Sequence, residues 1–189
     1  TIMGNLATAL HRDDRAADAM TLLDAAVAEA TAAGLISQQG TLTAQMGNCL
    51  FQQNRLQEAS KAYLSALPML EKAGNDRVLA AVWNNVGSIR ESCSDFDGAF
   101  TAYTHGLPLK RRLGDSLGEA VFRHNIGHIL MERGRLKAAA VQFEQACKIL
   151  EKSGETPHLI QFLGNWALAE LYLGRYRSAL EKLTQADPL

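Results

Sequence analysis

Two histidines four residues apart, His124 and His128, would stand on one face of a helix and could offer two nitrogen ligands to a metal ion, with Glu132 following at the same spacing. The zinc-protease form of such a pair needs Glu directly after the first His, and Asn125 stands there instead. Sequence places no third ligand beside them, and polar surface residues are the plainer reading. Cys49, Cys93 and Cys147 are sparse, odd in number and without a neighbouring base. They read as reduced, packed thiols, neither nucleophiles nor a disulfide framework. Gly74-Asn75-Asp76 and Gly114-Asp115-Ser116 lack the Lys-Ser/Thr ending of a phosphate loop. The remaining chemistry is that of amides. Asn5, Gln45, Asn85, Asn125 and Asn165 fall 40 residues apart, and each carboxamide carries both donors and an acceptor.

The elements that must position these residues are legible from the same period. Gly34, Gly74, Gly114 and Gly154 recur every 40 residues, as do Ala19, Ala59, Ala99, Ala139 and Ala179. Such a period marks units that bury their apolar faces only by stacking on neighbours. Ala7, Gly47, Gly87, Gly127 and Ala167 form a small-residue column that lets another helix approach closely. Asp14, Asn54, Ser94, Gly134 and Gly174 supply a tight turn. Beyond the turn come Ala16, Leu56, Phe96, Leu136 and Tyr176, the alanine ladder, Leu23, Tyr63, Tyr103, Phe143 and Leu183, then Ala26, Ala66, Gly106, Ala146 and Ala186. Offsets of three and four put these on one face of a second helix, so each unit is a helical hairpin. Thr156-Pro157 reads as an N-cap with Pro in the first turn, and Asp76 and Ser37 are placed to cap likewise. Pro68, Pro108 and Pro188 share one repeat position inside or near second helices, where a bend is expected.

Small residue, large residue, turn, aromatic or Leu, Ala, aromatic, Ala is the pattern of Asn125, Gly127, Leu130, Gly134, Leu136, Ala139, Phe143 and Ala146, and Trp83 precedes Gly87 by four. This resembles the tetratricopeptide repeat. The resemblance covers the chain as five repeats, about 1–33, 37–73, 77–113, 117–153 and 157–189, in a single array. Ordinary members repeat every 34 residues; the 40-residue spacing looks like the long-helix variant, with the extra residues expected in the second helix and the following link. The resemblance implies an all-α, right-handed superhelical solenoid of tandem antiparallel helix pairs. Its first helices would line a concave groove that receives an extended peptide or helical segment of a partner. On that reading the groove residues are Gln45, Asn48, Asn84, Asn85, Ser88, His124, Asn125, His128, Gln161 and Asn165, with Asn85, Asn125 and Asn165 against the ligand backbone. Equally open is the reading in which these amides bridge adjacent hairpins. The family's clamp for a C-terminal carboxylate needs cations, but Ala44, Ala81, Asn84, Val121, His124 and Gln161 occupy its positions. Arg90 and Glu170 replace Leu on a packing column, where a charge must reach solvent or a partner.

The formal charge of −1 supplies no basic footprint for nucleic acid. Lys110-Arg111-Arg112 reads as a solvated helix end. No uncharged run approaches the roughly 18 residues of a membrane span, so neither nucleic acid nor membrane is an expected partner. A protein or peptide partner, a cytoplasmic location, no enzymatic activity and no cofactor are expected of such an adaptor or scaffold. The alternative is the peptide-sensing domain of a bacterial regulator. Leu173, Tyr172, Leu180 and Leu183 leave the last repeat without a clearly polar outer face, which suggests a larger parent protein or end-to-end self-association.

Overall fold

A computed structural model describes residues 16–186. Its helices are α1 (Ala16–Ala32), α2 (Ile36–Gln52), α3 (Leu56–Lys72), α4 (Asp76–Ser92), α5 (Phe96–Arg112), α6 (Ser116–Glu132), α7 (Leu136–Ser153), α8 (Thr156–Tyr172) and α9 (Tyr176–Ala186). No strand occurs among the described residues. Asn5, Ala7, Leu10, Asp14 and Pro188 lie outside them. The chain divides into two compact units, Thr1–Ile89 and Arg90–Leu189, with the division inside α4.

First and second helices are alike. Those from α1 to α6 each have 17 residues, and α7 has 18. The long repeat is therefore not made by extending the second helix and the link after it, as the sequence suggested. Both helices share the extra length because every link closes through the same short turn.

That turn has a single stereochemical requirement. Gly34, Asn54, Gly74, Ser94, Gly114, Gly134, Gly154 and Gly174 all take φ between 58° and 76°. Glycine meets this freely, and Asn is the side chain best tolerated after it. The next residue then donates its N–H back to the carbonyl five positions earlier: Leu35 to Ala30 at 2.9 Å, Arg55 to Leu50 at 2.9 Å, Asp95 to Arg90 at 2.8 Å, Arg135 to Leu130 at 2.8 Å. This is the six-to-one bond of a Schellman ending.

The residue that donates this bond is also the N-cap of the following helix. Asp95 Oδ1 accepts from Gly98 N–H at 2.9 Å, Asp115 Oδ1 from Gly118 N–H at 2.8 Å and Asn75 Oδ1 from Val78 N–H at 3.3 Å. The caps expected at Ser37, Asp76 and Thr156 are therefore one or two residues late. Leu35 and Glu155 hold two of those positions, and Thr156 and Pro157 already belong to the first turn of α8. With a link of two or three residues, the position after the left-handed residue is the only one left for the cap.

The same turn explains the two charges on the packing column. In a Schellman ending the side chains at C3 and C″ meet, usually as an apolar pair. Here Arg90 Nη1 reaches Asp95 Oδ2 at 2.6 Å, and Glu170 Oε1 accepts from Arg175 at 3.2 Å. Lys110 and Asp115 repeat the arrangement at 2.6 Å. Each charge is matched across its own turn.

Within hairpins, glycine on the first helix faces an aromatic ring on the second. A Cβ on Gly47 would lie 2.6 Å from the Tyr63 ring, and one on Gly127 would lie 2.8 Å from Phe143. The alanine ladder is buried throughout, with Ala19, Ala59, Ala99 and Ala139 wholly inaccessible. In the first unit Leu23, Ala26, Leu42 and Cys49 share a core. In the second, Ala146, Cys147 and Leu150 pack with Leu159, Phe162 and Leu163 of α8. Cys93 departs from the packed-thiol expectation: it is exposed, because it sits in the turn after α4. Helices α3 and α5 run on through Pro68 and Pro108. Both prolines, and the carbonyls of Leu64 and Thr104 that they leave without a donor, lie on exposed faces where water can serve them.

Ser94→Gly should raise stability by about 1 kcal/mol and Gly134→Ala should lower it by about 1–2 kcal/mol, both read from urea unfolding midpoints. Shifts of the same sign in the two variants would refute the turn argument. Ala139→Leu should cost about 1–3 kcal/mol by overpacking, and an unchanged melt would contradict the packing described.

Candidate functional site

The exposed side of each first helix is set by what its other side must bury. In α6, Ala120, Phe122, Ile126, Ile129 and Leu130 are buried. His124, Asn125 and His128 are left on the remaining face, half-buried. The candidate surface lies on α2 and α4 in the first unit, and on the end of α4, α6 and α8 in the second. Asn48 and Gln161 are exposed, while Gln45, Asn84, Asn85, Ser88, His124, Asn125, His128 and Asn165 are partly buried.

In the first unit the structure brings Asn48 and Asn85 together around Tyr63. The Tyr63 hydroxyl donates to Asn48 Oδ1 at 2.7 Å, and Asn85 Nδ2 donates to the same oxygen and to Tyr63 Oη, each at 3.0 Å. Burial pushes the Tyr63 hydroxyl up to about 12. Asn85 therefore ties three helices together, so the bridging reading of the amide column describes this position. Gln45 Oε1 is buried and has no hydrogen-bond partner among the described residues.

The second unit solves the same problem with different residues. Tyr103, at the position of Tyr63, donates to Glu91 Oε2 at 2.8 Å, while the other oxygen of Glu91 meets His128 Nδ1 at 2.8 Å. Glu132 approaches His128 Nε2 at 3.9 Å. The bond to Glu91 holds His128 above the ordinary imidazole value. In return, and with help from Tyr103, it holds Glu91 below the usual carboxylate range. Burial and the adjacent carboxylate both push the Tyr103 hydroxyl up.

His124 is in a different state. Its ring stacks on Phe162, centroids 4.0 Å apart and 14° from parallel. Its Nε2 lies 2.6 Å from Asn165 Nδ2, and its Nδ1 lies 3.4 Å from Asn125 Oδ1. A neutral ring protonated on Nδ1 satisfies both contacts, and burial favours that form by holding the ring below its ordinary value. The two histidines thus face different partners, His124 towards α8 and His128 towards the end of α4. Among the described residues, no three His, Cys, Asp or Glu side chains are grouped to hold a metal ion.

Sequence reading missed Glu91 as the centre of this arrangement, although the signal was present. Tyr at 63 and 103, where Phe143 and Leu23 serve elsewhere, announces a buried hydroxyl that requires an acceptor on the facing helix.

A tetratricopeptide repeat family model matches residues 78–152. No curated protein matches the chain. Among solved structures, BtubC (BKLC) from P. vanneervenii is 19% identical, with 98% of this chain and 77% of that one covered and a TM-score of 0.86. A Podosopora anserina chain with nearly identical TPR-like repeats is 15% identical, with 98% and 92% covered and a TM-score of 0.78. The apo form of RapI is 14% identical, with 97% and 51% covered and a TM-score of 0.87. At these identities the likeness is one of fold, the all-α helical solenoid of tandem hairpins.

The two histidines should titrate on opposite sides of about pH 6.5, His128 above and His124 below, in NMR titrations of their ring protons. Because the folded value of His128 is raised, its contribution to stability is complete below about pH 6.5 and is lost as pH rises through that folded value. That of Glu91 is complete above about pH 4.3 and is lost as pH falls through its depressed value. Glu91→Gln should therefore cost most between these limits. An equal loss at about pH 6 and about pH 9 would show that the ion pair contributes nothing.

Proposed function

We propose that this chain, whose residues 78–152 match a tetratricopeptide repeat model and whose fold is that of such repeats, is a protein-interaction module, an adaptor or scaffold rather than an enzyme. Its first helices would receive an extended peptide or helical segment of a partner protein. One observation carries this reading: the first helices present polar side chains outward at repeating positions while their apolar sides are sealed into the hairpins. In the second unit this surface combines Gln161, His128 and Glu91 with Asn125 and Asn165, which offer the capacity that their contacts with His124 leave, beside a charged pair. An extended backbone has unpaired N–H and C=O groups that such a row can satisfy.

The surfaces differ in what they would select. Asn48 and Asn85 are already committed to Tyr63, so Asn48 offers a ligand only the capacity its carboxamide has left. Glu91 and Glu132 flank His128, which suits a ligand with a cationic or hydrogen-donating side chain better than one ending in a carboxylate. No helix among the described residues is long and apolar enough to cross a membrane.

The test is selection of peptides from a random display library on the whole chain, followed by calorimetry of the winners. Asn125→Ala and Gln161→Ala should each weaken binding by about 1–3 kcal/mol with circular dichroism unchanged. Asn85→Ala should act on folding instead, lowering stability by about 1 kcal/mol. Selected peptides that bind all three variants like the unaltered chain would place recognition elsewhere.

A further inference from the structure

Glu91 carries more charge than the core asks of it. The buried hydroxyl of Tyr63 is satisfied by a neutral carboxamide, Asn48. Tyr103 instead meets a carboxylate, whose second oxygen is left over for His128. The cluster also breaks the repeat. In the other described repeats the place of Glu91 is taken by Phe51, Met131 and Leu171, that of His128 by Asn48, Ser88 and Leu168, and that of Glu132 by Gln52, Ser92 and Tyr172. Three departures from the pattern of the array thus meet at one point of the polar row.

The proton on His128 decides what this point can accept. As an imidazolium the ring donates from Nδ1 to Glu91 at 2.8 Å and turns its Nε2–H towards Glu132, 3.9 Å away, so that its charge is shared between the two carboxylates. A neutral ring keeps its proton on Nδ1, where the shorter bond is, and turns a bare lone pair on Nε2 towards Glu132. Two acceptors then face each other with no proton between them, and the cluster carries two negative charges in place of one. At their separation of 3.9 Å they can share one nitrogen-borne cation lying about 2.8 Å from each. Solvent reaches both side chains, which are 37% exposed for His128 and 43% for Glu132. Of the other ionisable groups packed around the ring, burial pushes the Tyr103 hydroxyl of α5 up, so it stays neutral, and holds His124, one turn earlier on α6, below its ordinary value. Helices α7 and α8 bring Phe143, Phe162 and Asn165 to His124, and none of these is charged.

We propose that His128 is a proton-operated gate on the partner-binding row: its neutral form opens the place between Nε2 and Glu132 to an arginine or lysine side chain of a bound peptide, and its protonated form closes it. This rests on the reading of that row as a peptide site, and adds the class of side chain recognised and the condition for recognising it. Proton and cation compete for one place, so each weakens the binding of the other. Affinity for a cationic peptide therefore climbs with pH, by at most about tenfold per unit, until the ring is neutral. Because the bond to Glu91 raises the value of the ring, the climb lies above about pH 6.5.

The test is selection of peptides from a random display library on the whole chain at about pH 6 and again at about pH 9, where arginine and lysine keep their charge. Arginine or lysine should be enriched in the second set alone, and calorimetry of an arginine peptide from it should show affinity about tenfold or more higher at the upper pH. Citrulline, the uncharged isostere, in place of that arginine should remove the pH dependence, and so should His128→Gln in the chain, with circular dichroism reporting its fold. The citrulline arm leaves the chain unaltered, so it decides even where the variant folds poorly. Peptides selected at both pH values without cationic preference would overturn the gate and leave the peptide-binding reading standing. No selected peptide at either pH would overturn both. A pH dependence that survives the citrulline exchange would belong to another group and would overturn the gate.

Discussion

A left-handed residue at every twentieth position, from Gly34 to Gly174, is the constraint on which the other features of this molecule depend. It ends one helix, and the residue after it returns its N–H to the carbonyl five residues back and stands as the N-cap of the following helix. Because the turn is the same within a hairpin and between hairpins, helices come out equal in length. Side chains a whole number of repeats apart then meet equivalent surroundings, which is how one column becomes a stripe of small residues and another a row of amides. Six of the eight positions are glycine, and Asn54 and Ser94 tolerate the left-handed conformation at some cost.

Packing follows from that register. Glycine on the first helix is matched to an aromatic ring on the second, as Gly47 is to Tyr63 and Gly127 is to Phe143. Where the ring is tyrosine, its hydroxyl is carried to the polar surface and must find an acceptor there. Asn48 and Glu91 are those acceptors. The polar row is thus partly a consequence of the core: some of its members are present because a buried hydroxyl needs them, and their presence then shapes what a ligand would meet. The environments of His124 and His128 differ for the same reason, one ring stacked and neutral, the other drawn to a carboxylate already held by a tyrosine.

The hairpin architecture, the turns and the alanine and glycine columns could be read from the sequence because each depends on local stereochemistry repeated at a fixed interval. The caps were misplaced by a residue or two, since Thr156-Pro157 looks like a helix start until the six-to-one bond of the preceding turn is known to claim Glu155. The distribution of helix length was missed because periodicity gives the sum of two helices and two links, not their division. The site was less legible still. The column Gln45, Asn85, Asn125, Asn165 is uniform in type, yet Asn85 is a bridge between helices, and only three-dimensional neighbours such as Tyr63 distinguish the roles. Arg90 and Glu170 stand in an otherwise apolar column, and it is the geometry of the turn that selects Asp95 and Arg175 as their partners.

Those two pairs have the same spacing with opposite sign: cation then anion at 90 and 95, anion then cation at 170 and 175. The polarity of such a latch is therefore free to vary from turn to turn, because each is closed by residues five apart and draws on nothing beyond its own loop. Turns whose fastenings are wholly internal can be gained or lost one at a time, each excision rejoining the chain at a turn like the one removed. Length, in an architecture fastened this way, is a quantity evolution can adjust in whole units without redesigning any joint.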